Sequence, residues 1–280
     1  MKKLDFIVAG SQKAGTTSLH QFFSDLGVVD LPREKETNFW DFRYSPDIEK
    51  YWELFNERSD ANSICGEVSP HYWLSEKAGK RLSEKFPELK VIMVVRNPLD
   101  RAYSAFNMYK KLERYSEYTS QDFQATLDLE KKGVLRPNLL ANGDYNKRLP
   151  SFLLHFEASN VLIVRFENLV RNQSETLKEI LTFLDLNDSM ESYSLSKENH
   201  SGIPRNRLSY FLFNVLGESK ALRALAGRNV IAKLKRVFFQ KPDAILEAEK
   251  DSLIQTYFQD HFLELEEREE SLMFREYRVI

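Results

Sequence analysis

Residues 10–18 read GSQKAGTTS, a stretch in which two glycines bracket one lysine and hydroxyl side chains follow at once. The apolar run Leu4–Gly10 (LDFIVAG) precedes it. After it, Leu19, Phe22, Phe23 and Leu26 recur at helical spacing. Strand, loop and helix in that order aim the loop's N–H groups and the helix N-terminus at one spot, and such a spot binds phosphate. Gly10 and Gly15 have the spacing of the nucleoside-triphosphatase loop, but that loop needs Lys and Ser/Thr directly after its second glycine. Here Thr16 and Thr17 stand there, and Lys13 moves the charge to the loop's apex. A phosphate ester other than a triphosphate is implied. A second constellation follows the apolar run KVIMVV (90–95): Arg96-Asn97-Pro98-Leu99-Asp100-Arg101-Ala102-Tyr103-Ser104, with Pro98 placed as a first helical residue. Taken alone, Arg96 and Asp100 also suit an ordinary helix start.

Both segments resemble signatures of sulfotransferases that use 3′-phosphoadenosine 5′-phosphosulfate (PAPS). GSQKAGTTSL is similar to that family's 5′-phosphosulfate loop, G-x-x-K-x-G-T-T-x-L, and Arg96–Ser104 to R-[DN]-P-x-x-R-x-x-S. The resemblance implies that PAPS is bound by Ser11, Gln12, Lys13, Ala14, Gly15, Thr16, Thr17 and Ser18. In that scheme the loop amides and the two threonines hold the 5′-phosphate, and Lys13 meets the bridging oxygen. It further implies that Arg96 and Ser104 bind the 3′-phosphate, with Arg101 a structural partner. An arginine offers phosphate a fork of donors, and the serine lies about two helical turns on. A looser match is ENHSGIPR (198–205), similar to a late loop that closes over the donor in bacterial members. It adds Ser201, Gly202 and Arg205 as donor-binding candidates beside the reading of a turn-rich surface loop.

Sulfuryl transfer must stabilise leaving-group charge and remove one acceptor proton. Lys13 suits the first task. For the second, PREKETNFWD (32–41) resembles the K-E-x-H-F-F stretch of the branch that sulfates carbohydrates, heparan sulfate included, and the resemblance puts the catalytic base at Glu36. Asn38 stands where that branch has histidine. A carboxylate with a reference pKa of about 4.3 needs partial desolvation or hydrogen bonding to act as a base near neutrality, and Phe39 and Trp40 offer an apolar wall. Glu34 and Glu36 as solvated loop charges is the plainer reading. His71, in GEVSPHYW (66–73), is the rival base, since cytosolic small-molecule sulfotransferases use a histidine. Its G-E-x-S-P-x-Y context again resembles the carbohydrate branch. Lys35 and Glu67 are expected to line the site. No His/Asp/Glu cluster has metal-ligand spacing, so no metal is expected.

The elements that must position these groups alternate. Strand-like runs at Ile64–Val68, Lys90–Val95 and Asn160–Phe166 join the first, with helical patterns at about 47–57, 75–86, 98–113, 121–132, 145–158 and 168–185. This predicts an α/β fold of three layers, a mostly parallel central sheet covered on both faces, with a phosphate loop like that of P-loop proteins and a helical C-terminal elaboration. A single sulfotransferase domain over 1–280 is expected, with its core at 4–205 and the elaboration at 206–280. Residues 203–241 hold nine Lys/Arg against one acid, Glu218, and read as helical without a convincing strand, whereas the chain beyond Asp243 is acidic. A net formal charge of -2 argues against a nucleic-acid partner. One cysteine, Cys65, fits a reducing compartment. The early apolar run leaves no room for a leader or anchor, so a cytoplasmic location is expected.

Three functions compete. The first is transfer of a sulfuryl group to a saccharide hydroxyl or amine, with a small-molecule alcohol or phenol as the alternative acceptor. A magnesium-dependent phosphoryl-transfer enzyme is second, but it would want an acid where Arg96 stands. The third is a non-catalytic nucleotide-binding or membrane-surface module, suggested by apolar and basic residues at helical spacing over 219–239. A surface helix packed on the domain explains the same pattern.

Overall fold

The computed structural model describes residues 3–56, 63–111, 122–134, 138–186, 193–195, 203–204, 239–240, 245, 247–258 and 277–280. Among them the strands are β1 (Phe6–Gly10), β2 (Val29–Asp30), β3 (Ile64–Val68), β4 (Lys90–Val95), β5 (Val161–Arg165), β6 (Ile203–Pro204), β7 (Phe239–Gln240) and β8 (Arg278–Val279). The helices are α1 (Thr16–Asp25), α2 (Glu49–Trp52), α3 (Glu76–Lys85), α4 (Pro98–Lys111), α5 (Phe123–Lys131), α6 (Tyr145–Leu153), α7 (Phe166–Arg171), α8 (Gln173–Phe183) and α9 (Glu247–Leu253).

Six strands form one sheet in the order β2-β3-β1-β4-β5-β8, and each neighbouring pair is parallel. Successive strand residues point to opposite faces. Thus Ile7, Ala9, Val91, Met93 and Val95 join one apolar cluster with Trp73, Leu82 and Tyr145. Phe6, Val8, Ile92 and Val94 join another with Leu19, Phe23, Leu177 and Ile180. Both faces are covered by helices, which is why KVIMVV reads as an unbroken apolar run and not as an alternation. The expected three-layer α/β fold with a mostly parallel sheet is the fold observed.

By contact density the chain divides into two compact units. The first comprises Met1–Arg101, Ala141–Glu198 and Phe258–Ile280 and holds the sheet; the second comprises Ala102–Leu140 and Asn199–Tyr257. Within the second, Phe123 of α5 packs against Tyr103 and Phe106 of α4, with ring centroids 5.1 and 5.4 Å apart. Tyr257 there donates a hydrogen bond to Asp128 at 2.5 Å.

Several expectations change in detail. The helical pattern at 47–57 shrinks to α2, because Phe55 forms an isolated bridge with Pro32 instead of continuing the helix. The pattern at 168–185 starts earlier and splits at Asn172, whose backbone (φ -118°, ψ 47°) leaves the helical region between α7 and α8. The edge strands β2 and β8, two residues each, are too short to leave a periodic signal. The expectation that 203–241 lacks a strand is corrected at its two ends, where β6 and β7 pair antiparallel. Residues 205–238 between them, and with them all but the last residue of the surface-helix pattern at 219–239, lie outside the described residues. No helix among the described residues is long and apolar enough to cross a membrane.

Candidate active site

Three loops leave the carboxyl ends of three adjacent strands, β3, β1 and β4. Open α/β sheets bind ligands along that edge. The central loop, after β1, is the glycine-bracketed one. A Cβ on Gly10 would lie 2.4 Å from Trp73 Cδ1, so only glycine fits where the strand ends. Gly15 has φ 81°, and a Cβ there would meet Phe166 at 3.0 Å. Lys13 itself is left-handed (φ 72°), a conformation that a residue bearing a Cβ rarely adopts.

Behind this loop α1 opens at Thr16 without a side-chain cap and without an acidic residue in its first turn. The amides of Thr16 and Thr17 come first in the helix and have no intrahelical acceptor by geometry. Ser18 N–H and Leu19 N–H donate to the Gly15 carbonyl at 3.0 and 3.1 Å. The loop's other members divide by direction. Gln12, Thr17 and Ser18 are half-buried, whereas Ser11, Ala14 and Thr16 are buried. Ser11 is turned inward: its N–H donates to the Val94 carbonyl (2.7 Å), and its hydroxyl pairs with the Tyr145 hydroxyl (2.9 Å). Ala14 N–H donates to the Ser11 carbonyl at 3.2 Å. Ser11 and Ala14 thus use these groups within the protein, while the Thr16 and Thr17 amides at the helix start are placed to meet an anion.

The β4 loop leans on the same frame. Arg96 Nη1 donates to the Lys13 carbonyl at 2.8 Å, and its guanidinium lies 4.6 Å from the Phe166 ring centroid. Arg96 N–H donates to the Tyr145 hydroxyl at 3.3 Å. Asn97 Oδ1 accepts from Asp100 N–H (3.1 Å) and starts α4. Burial lowers the Arg96 pKa from its ordinary value, partly opposed by Asp100 and Glu167, and its Nε is buried with no hydrogen-bond partner among the described residues. A half-buried cation with an unspent buried donor suits a bound anion. Ser104 lies on α4, two turns into the helix. Arg101 is buried. Ser201, Gly202 and Arg205 lie outside the described residues.

The two candidate bases lie close enough for the charge of Glu36 to act on the His71 ring. Glu36 is left-handed (φ 65°), its N–H donates to the Val68 carbonyl at 3.2 Å, and its carboxylate pairs with Lys35. Asn38, also left-handed (φ 52°), donates from Nδ2 to the Glu36 carbonyl at 2.8 Å. Asparagine tolerates this conformation, so Asn38 fits the turn as a backbone support. The His71 ring feels the charges of Glu36, Lys35 and Asp41, but burial is the largest influence and lowers its pKa below the usual histidine value. His71 therefore stays neutral at pH 7 and competent to accept a proton. His20 on α1 feels Lys35 and Glu36 as well, and burial again dominates and lowers its pKa.

Glu67 departs from the expected lining role, because it is fully buried. Tyr145, Phe166 and His20 were not singled out by sequence. Tyr145 and Phe166 touch the loops from remote positions, and His20 feels the charges of Lys35 and Glu36; no short-range pattern announces these relations.

A family model described as a sulfotransferase domain matches residues 3–222. The chain is 26% identical over 275 residues to the bifunctional heparan sulfate N-deacetylase/N-sulfotransferase 4 of Mus musculus, covering 93% of this chain and 29% of that protein. It is 29% identical over 195 residues to the corresponding enzyme 2 of Homo sapiens, covering 65% of this chain and 22% of that protein. The chain thus spans under a third of these relatives' length. In fold it is similar to a sulfotransferase from Alicyclobacillus acidocaldarius, with a TM-score of 0.60, 23% identity, and coverage of 83% of this chain and 99% of the other. With the matched region running from before β1 past β6, the chain belongs to the sulfotransferase domain family.

Proposed function

We propose that the protein transfers a sulfuryl group from PAPS to a saccharide hydroxyl or amine. The observation that carries this is the joined pair of loops. An uncapped, acid-free helix start lies behind Gly15, and Arg96 is fastened to the carbonyl of Lys13 in that same loop. Two anion-seeking groups on neighbouring strands match a donor that bears two separate phosphates. Saccharide as the acceptor class is supported by the heparan sulfate relatives and by the Glu36 segment.

The chain's own groups account for each step. The acceptor oxygen or nitrogen bonds to sulfur as the bond from sulfur to the bridging phosphate oxygen breaks. That oxygen keeps the electron pair. The Lys13 ammonium and the Thr16 and Thr17 amides stabilise the charge left on the departing 5′-phosphate. Glu36 takes the acceptor's proton. Lys35 beside it steadies the carboxylate and offers a cation to an acidic acceptor.

The test supplies PAPS with an acceptor pool of N-desulfated heparin, a glucosamine oligosaccharide and 4-nitrophenol, following release of 3′-phosphoadenosine 5′-phosphate and product mass. Sulfated saccharide is expected. Sulfation of the phenol alone would reverse the acceptor assignment, and lack of both PAPS binding and transfer would overturn the reading. Glu36→Gln is expected to abolish turnover with nucleotide affinity kept. Retained turnover in that variant would make neutral His71 the base.

A further inference from the structure

The Glu67 carboxylate is fully buried, and among the described residues its hydrogen-bond partners are hydroxyls. Four hydroxyls surround it. Oε1 accepts from Thr37 Oγ1 at 2.5 Å, Ser69 Oγ at 2.6 Å and Tyr72 Oη at 2.7 Å, and Oε2 accepts from Tyr51 Oη at 2.6 Å. Burial first, then the Glu67 charge, hold Tyr51 and Tyr72 well above the ordinary tyrosine pKa, so both stay protonated donors.

A hydroxyl has one proton and two lone pairs. Thr37 and Tyr72 use their protons on Glu67, so the 3.1 Å approach of their oxygens to each other adds no further bond. Their lone pairs accept backbone protons instead: Phe39 N–H donates to Thr37 Oγ1 at 3.2 Å, and Trp40 N–H to Tyr72 Oη at 3.3 Å. The carboxylate thus sets the direction of two hydroxyls, and those hydroxyls capture the chain directly after Glu36. On the other side Glu36 N–H is tied to the Val68 carbonyl, one residue from Glu67. Glu36 occupies a left-handed backbone that its neighbours must hold in place.

We propose that Glu67 is a positioning residue for the catalytic loop, its carboxylate acting through Thr37 and Tyr72 to hold the Glu36 carboxylate at the acceptor. This rests on the reading of Glu36 as the base. The four hydroxyls on the Glu67 carboxylate come from Thr37, Tyr51, Ser69 and Tyr72, none of them in the β1 or β4 loop. A shift of the base by about 1 Å is enough to cost on the order of 100-fold in rate.

The experiment uses the full chain with PAPS and the acceptor pool above. It measures kcat, calorimetric affinity for 3′-phosphoadenosine 5′-phosphate, and Tm. Glu67→Gln and Thr37→Val are expected to lower kcat about 30- to 100-fold while nucleotide affinity changes less than about 3-fold. Thr37→Ser, which keeps the hydroxyl, restores kcat. Leu177→Ala, in the opposite layer's core, lowers Tm but keeps kcat. If Glu67→Gln does not fold, the Thr37 pair decides. Turnover in Thr37→Val equal to that in Thr37→Ser overturns the proposal, as does an equal kcat loss in Leu177→Ala. The two readings fail differently: an active Glu36→Gln sinks the base assignment and the positioning role with it. A dead Glu36→Gln beside a fully active Thr37→Val sinks the positioning role alone.

Discussion

At Lys13 the backbone and the charge make opposing demands. The lysine sits at φ 72°, where a Cβ crowds the carbonyl that follows it, at a cost of roughly 1–2 kcal/mol. Glu36, at φ 65°, repeats the arrangement. Two side chains proposed for the chemistry in an unfavourable conformation are what a site held by its surroundings should show. Lys13→Asn puts a residue that tolerates this backbone in place of one that does not. It is expected to hold or raise stability by up to about 1 kcal/mol. Transfer is expected to fall on the order of 100-fold through loss of the charge that faces the leaving oxygen. Denaturant unfolding and initial rates, measured together, check both halves, and an active Lys13→Asn would show that the charge is not used. The identities of Lys13, Thr16, Thr17 and Arg96 were legible in the sequence because they sit in contiguous motifs. The inward turn of Ser11 was not, because its hydroxyl partner lies 134 residues away.

At the scale of elements, α6 does what no loop motif reveals. Its first residue, Tyr145, is fully buried, accepts or donates at Ser11 Oγ and accepts from Arg96 N–H, and stacks on Trp73 with centroids 5.2 Å apart. One phenol therefore registers the loops after β1, β4 and β3. The helical pattern at 145–158 was readable from its apolar spacing, but the direction of one hydroxyl depends on how α6 crosses the sheet. Tyr145→Phe keeps the stacking and strands a buried serine hydroxyl and a backbone N–H, a loss of about 1–3 kcal/mol. Because the two stranded groups belong to the two donor loops, 3′-phosphoadenosine 5′-phosphate should bind about 10-fold more weakly, close to the 1.4 kcal/mol that one hydrogen bond contributes. Calorimetry on the folded variant decides it. Unchanged affinity with lowered stability would make Tyr145 a core residue without influence on the donor site.

For the molecule as a whole, the parallel sheet was legible because β1, β3, β4 and β5 are apolar runs separated by helical spacing. The edge strands and the β6–β7 pair were not, since two-residue strands are defined only by their partners. The same burial that forms the two cores gives the fold a dependence on pH. His20 and His71 both have pKa values lowered by burial from an ordinary 6.5, with Lys35 adding to the effect and Glu36 opposing it. A histidine whose folded pKa is depressed binds its proton more readily in the unfolded chain. Stability is therefore complete above pH 6.5 and declines as the pH falls from 6.5 toward the folded values, beyond which this contribution is flat. The exposed Glu88, lowered chiefly by its hydrogen bond from Lys3, titrates below its ordinary 4.5 and so acts in a separate, more acidic window. Tm measured from pH 8 to pH 5 is expected to drop on the acid side of 6.5, and the drop should flatten in the double variant His20→Gln/His71→Gln. A double variant with the same acid slope as the parent would assign the slope to other groups and leave both rings without a role in stability.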